Sequence, residues 1–178
     1  MDVTAVISQI EMYLLKYPED IHGSKTLDFV KNTIDFWKRE HLEGHLTASA
    51  WVLSMDKTQT LLTHHKGLDS WFQLGGHIEP EDSTVCDAAL REIIEESGIE
   101  PLESFSNQIF DIDVHWIPEN KKGVPGHFHY DVRYLFFADD GQPILFDTNE
   151  SNEVCWVSIA NIEEKSSQES VLRMVRKS

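Results

Sequence analysis

The segment from Trp71 to Glu103 carries nine acidic residues and one basic residue, Arg91. It therefore holds half of the formal net charge of −16 that the 178-residue chain has at pH 7. A run of charge most often forms the solvated face of a helix. Here, however, Glu92, Glu95 and Glu96 recur at helical spacing, so a helix would bring three carboxylates within about one turn. Any fold of this chain must place that turn where the repulsion between the carboxylates is offset.

A helix is predicted from Ser83 to Ser97, with Asp82 or Ser83 as its N-cap and Gly98 at its C-terminal end. The apolar stripe that would bury this helix against a sheet consists of Val85, Ala88, Ala89 and Ile93. The three carboxylates lie on the remaining surface, where Arg91 can pair with a neighbouring carboxylate. Hard divalent cations such as Mg²⁺ take oxygen ligands and would offset the repulsion. The helix is therefore predicted to carry a divalent-metal site.

Two adjacent glycines, Gly75 and Gly76, precede this helix. Because glycine has no Cβ, the backbone here can approach a ligand closely and present a carbonyl or an amide to it. A Gly-Gly pair on its own marks a turn more often than a site. Its coupling to the Arg-Glu-x-x-Glu-Glu-x-Gly pattern of residues 91–98 makes the segment specific.

The combined pattern resembles the signature of the Nudix hydrolases. That signature runs Gly, five residues, Glu, seven residues, Arg-Glu, an aliphatic residue, any residue, Glu-Glu, any residue, Gly and an aliphatic residue. Gly76 opens the signature here, and residues 91–99 close it without a mismatch. The middle departs from it, since Asp82 stands in place of Glu and eight residues rather than seven separate it from Arg91. The specific match covers residues 61–99.

The resemblance implies an α/β fold, with an α/β/α sandwich around a mixed sheet in residues 46–178. Residues 1–45 lie outside the resemblance and are predicted to form an N-terminal helical extension. It implies Mg²⁺ or Mn²⁺ as the cofactor. It also implies hydrolysis of a diphosphate linkage in a small phosphorylated metabolite, by attack of water at phosphorus. By matched position, the metal ligands would be Glu92, Glu95, Glu96 and the Gly75 carbonyl.

The carboxylate that accepts the proton of the attacking water differs across the family. Glu92 or Glu95 would do so from the signature itself, with Arg91 holding a carboxylate in one rotamer. Glu150 or Glu153 would do so from a loop ahead of a predicted strand. The plainer interpretation of these last two is that they are solvent-exposed loop acids.

Histidines are frequent around the predicted site, at His64, His65, His77, His115, His127 and His129. His77 directly follows the two glycines and is the best single candidate for a contact to substrate phosphate. Strand alternation places His127, His129 and Asp131 on one face. That face would contact substrate phosphate or hold an extra metal; otherwise it is a polar face of the sheet.

The remainder of the chain predicts helices at both ends and strands between them. Helical spacing over residues 3–17 and 25–39 predicts a hairpin, with Ser24 capping its second helix. This hairpin would pack against the main domain or against a second subunit in a homodimer, or would cap the substrate. The other predicted elements are strands at Thr47–Ser54, Thr60–His65, Ser104–Trp116, His127–Ala138 and Val154–Ser158, and a helix at Gln168–Lys177.

Charge and composition exclude several partners. A chain this acidic repels polyanions, so a nucleic-acid polymer and an anionic membrane are poor partners. No segment approaches 18 apolar residues, the length of a membrane span. Cys86 and Cys155 match no metal-ligand spacing and predict two reduced thiols in a cytoplasmic protein.

Two other functions use the same fold. A non-hydrolytic Nudix-type regulator would sense a nucleotide, although a pure sensor has no need for a repulsive carboxylate cluster. An isoprenoid-diphosphate isomerase is the weaker alternative, since the sequence shows no clearly placed Cys and Glu pair.

Overall fold

Seven strands form one mixed sheet in the computed structural model, which describes residues 1–101, 103–119 and 123–178. The strands are β1 (Gly44–Ser54), β2 (Gln59–His65), β3 (Ser70–Phe72), β4 (Leu74–His77), β5 (Glu103–Ile117), β6 (His127–Ala138) and β7 (Ser151–Ser158). The helices are α1 (Val3–Lys16), α2 (Ile21–Asn32), α3 (Val85–Ser97), α4 (Ile162–Lys165) and α5 (Glu169–Lys177), with a 3₁₀ turn at Ile159–Asn161. Among the described residues, none of these helices has the length and hydropathy to cross a bilayer.

The central strand β1 organises the sheet. The strand order is β3-β2-β1-β6-β5, with β4 added to β1 and β7 added to β2. β1 runs parallel to β6 along its whole length, in a register that places His45 opposite His129 and Thr47 opposite Asp131. The first half of β1 pairs on its other side with β4, where Thr47 lies opposite His77. Side chains from β4, β1 and β6 therefore meet on one face of the sheet.

Alternation along β1 divides the interior into two apolar clusters. Leu46, Ala48, Ala50 and Val52 pack in the cluster that includes residues of α1, α2 and α3. Trp51 and Leu53 point the other way, into a cluster with Val171 and Met174 of α5. The chain thus has helices on both faces of a mixed sheet, which confirms the predicted α/β/α sandwich.

The N-terminal hairpin packs against the sheet, but its second helix differs from the prediction. The side chain of Asp20, not that of Ser24, accepts the capping hydrogen bonds, and α2 ends at Asn32 rather than near residue 39. Gly23 lies inside α2, facing α1. A Cβ at this position would come within 2.9 Å of a methyl carbon of Leu14, which accounts for glycine here. Gly23, which the sequence places ahead of the predicted Ser24 cap, is therefore a site of close helix packing.

Buried residues join this hairpin to the rest of the molecule. Val6 and Ile10 of α1 share the larger apolar cluster with Ile112 of β5. Gln9 accepts a hydrogen bond of 2.8 Å from the Tyr134 hydroxyl on β6. The hairpin therefore packs against the main domain, as one of its predicted roles requires.

Candidate active site

Strand β4 and helix α3 approach each other so closely that only glycine fits between them. A Cβ on Gly76 would lie 2.5 Å from a carboxylate oxygen of Glu92. Gly75 is restricted by β1 instead: a Cβ there would lie 2.2 Å from the Ser49 hydroxyl oxygen, and its φ of +155° also disfavours a side chain. The Gly75 N–H donates a hydrogen bond of 3.1 Å to Glu96. The two glycines therefore form the floor on which these carboxylates rest.

Helix α3 turns its acidic face toward this floor because its opposite face is buried. Ala88, Ala89 and Ile93 are fully buried in the larger apolar cluster. The helix begins at Val85, two residues later than predicted, and the Thr84 hydroxyl caps it in place of Asp82 or Ser83. It ends at Gly98 in the left-handed conformation, as the sequence indicates.

Arg91 connects the helix to the loop before it. Its guanidinium donates to both carboxylate oxygens of Asp82, at 3.1 and 3.0 Å, and to the His77 carbonyl at 2.8 Å. The same guanidinium donates to Glu92 at 2.9 Å and to Glu95 at 2.7 Å. Four side-chain and backbone acceptors thus hold one cation, and they raise the pKa of Arg91 further above its ordinary value, the Asp82 bonds most of all.

Asp82 explains how the longer signature is accommodated. Its side chain is buried, and besides Arg91 it accepts a hydrogen bond of 2.8 Å from the Glu79 N–H. In the sequence this residue is only a departure from the signature or a candidate N-cap. The structure makes it the anchor that closes the loop between β4 and α3.

The three signature acids, Glu92, Glu95 and Glu96, form what we call the carboxylate cluster. Burial raises the pKa of Glu92, and the charge of Glu95 adds to this against the opposing effect of Arg91. Burial, followed by the charge of Glu92, raises the pKa of Glu96 to about 8. Glu95 is the most exposed of the three, at 58% of its side chain. The cluster therefore holds more negative charge than its single arginine offsets.

Oxygen donors of this kind suit a hard divalent cation. Glu96 resists ionisation because it is buried beside the charge of Glu92, and Mg²⁺ or Mn²⁺ would stabilise its charged form. The N–H of Gly75 donates a hydrogen bond to Glu96, and the carbonyl proposed as a further ligand belongs to the same residue. The residues present thus fit the metal that the signature implies.

The two loop acids lie in different surroundings. Glu150 is close enough to Glu96 for its charge to contribute to the raised pKa of that residue. Glu153 lies on β7 opposite His64 and is exposed. Burial, and then Glu153, raise the pKa of the Cys155 thiol to about 11. The structure thus brings Glu150, but not Glu153, to the carboxylate cluster.

Imidazole rings gather on the face of β1, β4 and β6 that is turned away from α3. His77 packs against His45 and His129, with ring centroids 5.0 and 5.3 Å apart. The Nε2 atoms of His127 and His129 lie 3.2 Å apart. Burial lowers the pKa of His45 to about 4, of His77 to about 3 and of His129 to about 2, and repulsion between the rings adds to this. These three rings are therefore neutral at pH 7.

Asp131 follows His127 and His129 on β6, but it differs from them because protein side chains already occupy its hydrogen-bonding positions. It is 2% exposed and accepts hydrogen bonds from four side chains. These donors are Thr47 at 3.1 Å, Ser49 at 2.8 Å, Gln73 at 3.2 Å and Arg133 at 2.8 Å. The predicted contact between Asp131 and substrate would have to replace one of these bonds.

The sequence reasoning omitted His45. No motif marks this residue, since it precedes the first predicted strand by two positions. Only the parallel register of β1 with β6 and the pairing of β1 with β4 bring it to His129 and His77. Its alternation with Thr47 is the one sequence signal that could have placed it on the polar face.

Comparison with known proteins agrees with this geometry. A sequence model of the NUDIX domain matches residues 44–176. The comparison with curated protein sequences finds no match. Among solved structures, the fold is similar to a Caenorhabditis elegans Ap4A hydrolase binary complex (TM-score 0.54, 16% identity, covering 74% of this chain and 93% of that one).

Two further structures share the fold. One is the Escherichia coli dihydroneopterin triphosphate pyrophosphohydrolase (TM-score 0.56, 17% identity, covering 74% of this chain and 92% of that one). The other is the NUDIX domain of Shewanella oneidensis NrtR, complexed with ADP ribose (TM-score 0.55, 16% identity, covering 84% of this chain and 94% of that one). The NUDIX match spans most of the chain and includes the Gly-Gly floor, Arg91 and the carboxylate cluster. The chain therefore belongs to the NUDIX domain family.

Proposed function

We propose that this chain hydrolyses a diphosphate linkage in a small phosphorylated metabolite, with Mg²⁺ or Mn²⁺ as cofactor. The substrate classes that fit are a nucleoside diphosphate linked to another group, a nucleotide sugar such as ADP-ribose, and a nucleoside triphosphate. The observation that carries the proposal is the carboxylate cluster, in which three acids lie within about one turn of α3 and only two of them, Glu92 and Glu95, contact Arg91. A cluster with this excess of negative charge is a site for cations and for an anionic substrate that binds with them.

The protein residues have separate roles in this proposal. Glu92, Glu95, Glu96 and the Gly75 carbonyl would hold the metal, which when bound neutralises diphosphate charge and lowers the pKa of a coordinated water. Arg91 is a positioning residue, because it fixes the rotamers of Glu92 and Glu95 while Asp82 holds it from the other side.

We assign the general base, the group that accepts the proton of the attacking water, to one of four carboxylates. Glu92 and Glu95 are both fixed by Arg91, so each is held in a defined place. Glu150 is the loop alternative, since its charge influences Glu96. The position of Glu153 on β7 favours it less. A matched series of Glu→Gln variants at these positions would separate base from ligand, because loss of a base changes the pH profile of kcat.

Contacts from His77, His127, His129 and Asp131 to substrate phosphate remain predictions. A neutral imidazole donates one N–H, so the first three would contribute hydrogen bonds and not charge. The oxygens of Asp131 already accept four hydrogen bonds. Its support for the site is therefore indirect, through the bonds by which it joins β6 to β1 and to Gln73, just ahead of β4.

We also propose that residues 46–178 form the catalytic domain and residues 1–45 an accessory extension that stabilises it. Packing of α1 and α2 against β5 supports this division. A cytoplasmic location is consistent with the two free cysteines. Homodimer formation stays a prediction, which light scattering would test.

The deciding experiment is an assay of phosphate or nucleotide release over a panel of diphosphate compounds, with Mg²⁺, Mn²⁺ or a chelator. We expect turnover of at least one class with metal and none with chelator. Glu95→Gln and Glu96→Gln should each lose at least about 100-fold of kcat/KM. Glu100→Gln is the matched control, because it removes an exposed acid just beyond α3.

Other results would change the assignment. Full activity in both Glu95→Gln and Glu96→Gln would show that the metal site is elsewhere. Tight nucleotide binding without turnover of any compound would favour the sensor. Conversion of an isoprenoid diphosphate to its isomer without release of phosphate would favour the isomerase.

A further inference from the structure

Three histidines from three different strands converge beside the Gly-Gly floor. His45 lies on β1, His77 on β4 and His129 on β6, and each offers a ring nitrogen such that the three atoms all lie within 4.8 Å of one another. Within residues 1–101, 103–119 and 123–178, this is the one group of three histidine, cysteine or acidic side chains with that arrangement. We call His45, His77 and His129 the histidine cluster.

The centre of the cluster is a buried side chain without a hydrogen bond. His45 is 2% exposed, and neither of its ring nitrogens has a partner among the described residues. Leaving a buried polar group unsatisfied costs about 1–3 kcal/mol, so buried side chains of this kind normally have a partner. The cluster therefore lacks a component that bonds to imidazole nitrogen.

That component is a Lewis acid rather than an anion. Because their nitrogens lie within 4.8 Å of one another, three protonated rings would repel each other, so this packing favours neutral imidazoles. A neutral imidazole keeps one unprotonated nitrogen, which is the form that binds metal. Phosphate would find no positive charge on these rings. Imidazole nitrogen suits zinc, copper and nickel, whereas Mg²⁺ prefers the oxygen donors of the carboxylate cluster.

The dimensions allow one ion to be bound with little movement. Three nitrogens at about 2.0–2.1 Å from a tetrahedral zinc lie about 3.3 Å apart. The 4.8 Å spread of the cluster would therefore contract by about 1.5 Å, which ring rotation supplies. Three histidines with an open fourth position are a common zinc arrangement.

His127 supplies a further feature expected at such a site. Its Nδ1 lies 2.8 Å from the Pro125 carbonyl, so that nitrogen carries the proton. Its Nε2, 3.2 Å from His129, is then left as an acceptor at the margin of the cluster. When the Nδ1–H of a histidine donates a hydrogen bond to a carbonyl, the ring is held in one orientation and its unprotonated Nε2 is free to accept a ligand.

We propose that His45, His77 and His129 bind a divalent transition metal of the zinc type, at a site distinct from the carboxylate cluster. The site joins β1, β6 and β4, and the last of these carries Gly75 and Gly76. Because Arg91 donates to the His77 carbonyl, the bound ion also holds the segment against which the carboxylate cluster rests. This assignment replaces direct phosphate contact by His77 and His129, and it does not depend on hydrolysis.

The test is binding of Co²⁺ and Zn²⁺ to chelator-treated protein in a millimolar excess of Mg²⁺, which keeps the carboxylate cluster occupied. Co²⁺ held by nitrogen ligands in tetrahedral geometry gives visible absorption bands. We expect these bands to saturate at about one Co²⁺ per chain, and Zn²⁺ to displace them with the same stoichiometry.

Variants then locate the ion. His77→Gln and His129→Gln should weaken Co²⁺ binding by at least about 100-fold. His45→Gln should do the same, and circular dichroism would check its fold because His45 is buried. His65→Gln is the control, since this exposed histidine on β2 lies outside the cluster, and Glu96→Gln should keep the bands. Absence of binding in Mg²⁺, bands that persist in His77→Gln and His129→Gln, or bands that vanish in Glu96→Gln would each overturn the proposal.

Discussion

The carboxylate cluster on α3 and a second group of acids on the sheet neutralise their charge in opposite ways. In the cluster, Arg91 contacts Glu92 and Glu95, whereas Glu96 accepts a hydrogen bond only from the Gly75 N–H among the described residues. The second group, which we call the ion network, has as many bases as acids. Its members are Asp111, Asp113, Asp131, Arg133, Arg173 and Lys177.

The pKa shifts of the acids follow this difference. In the ion network, Asp111 is fully buried, yet hydrogen bonds and the charges of Arg173 and Arg133 outweigh burial and lower its pKa. In the cluster, burial and then the charge of Glu92 raise the pKa of Glu96 to about 8, and no basic side chain among the described residues is paired with it. Paired acids stabilise the fold, whereas unpaired acids are a cost that a bound cation can remove. The comparison separates a structural group of acids from a functional one.

The same acid-to-amide change should have its largest effect in the ion network. Asp111→Asn leaves Arg133, Arg173 and Lys177 without the carboxylate that they contact at 3.1, 2.8 and 2.6 Å. We expect the free energy of unfolding to fall by about 3–5 kcal/mol, since removing one partner of a buried ion pair leaves uncompensated charge. Urea denaturation at pH 7 measures this, and a loss below about 1 kcal/mol would contradict it.

The matching change in the carboxylate cluster should act in the opposite direction. In metal-free protein, Glu96→Gln removes a group whose pKa of about 8 opposes ionisation, and its amide oxygen can still accept from Gly75. We expect the free energy of unfolding at pH 7 to rise by about 1–3 kcal/mol. The same urea experiment in chelator is the measurement, and a destabilised variant would show that Glu96 is already compensated.

The two regions should also give opposite pH dependence. A raised pKa at Glu96 means that only the unfolded chain ionises between pH 4.5 and about 8, so stability falls as pH rises through that range. Lowered pKa values at Asp111 and Asp113 give stability above pH 3.8 that is lost as pH falls below it. Each group contributes a slope of at most about 1.4 kcal/mol per pH unit. We would measure thermal unfolding of the wild type and of Glu96→Gln in chelator. The fall in stability between pH 4.5 and about 8 that Glu96 causes should be present in the wild type and absent from the variant.

The smallest effect expected is stabilisation by Mg²⁺. At pH 8, a Mg²⁺ concentration ten times its dissociation constant should add about 1.4 kcal/mol to the free energy of unfolding. Glu96→Gln should lose most of this gain, because it removes a ligand. Glu100→Gln, with an exposed acid outside the cluster, should keep it. Equal gains in the two variants, measured by thermal unfolding, would place the ion elsewhere.

Local sequence pattern was sufficient for much of this fold. The buried stripe of α3 and the left-handed Gly98 follow from spacing and residue type, and the family was recognised from residues 76–99. Strands β1, β2, β5, β6 and β7 all lie at predicted positions, because β-branched and aromatic residues cluster there. The prediction omitted β3 and β4, since strands of three and four residues are too short to show alternation.

Errors arose where distant residues decide a local structure. Gly23 is a helix breaker by propensity, but it continues α2 because Leu14 packs against it. Asp82 departs from the signature by residue type, but Arg91 folds back to bind it. His45 has no neighbour in sequence that marks it as part of a site.

The sequence by itself determined the family, the α/β/α class and the three carboxylates, since all of these depend on residues at most a few turns apart. Only the tertiary structure decided that Glu150 lies by Glu96, that Asp131 joins the ion network, and that His45 meets His77 and His129. The physical reason is that these contacts depend on pairing between distant strands. The register of β1 with β4 and β6 is set by burial over the whole sheet, and no local spacing contains it.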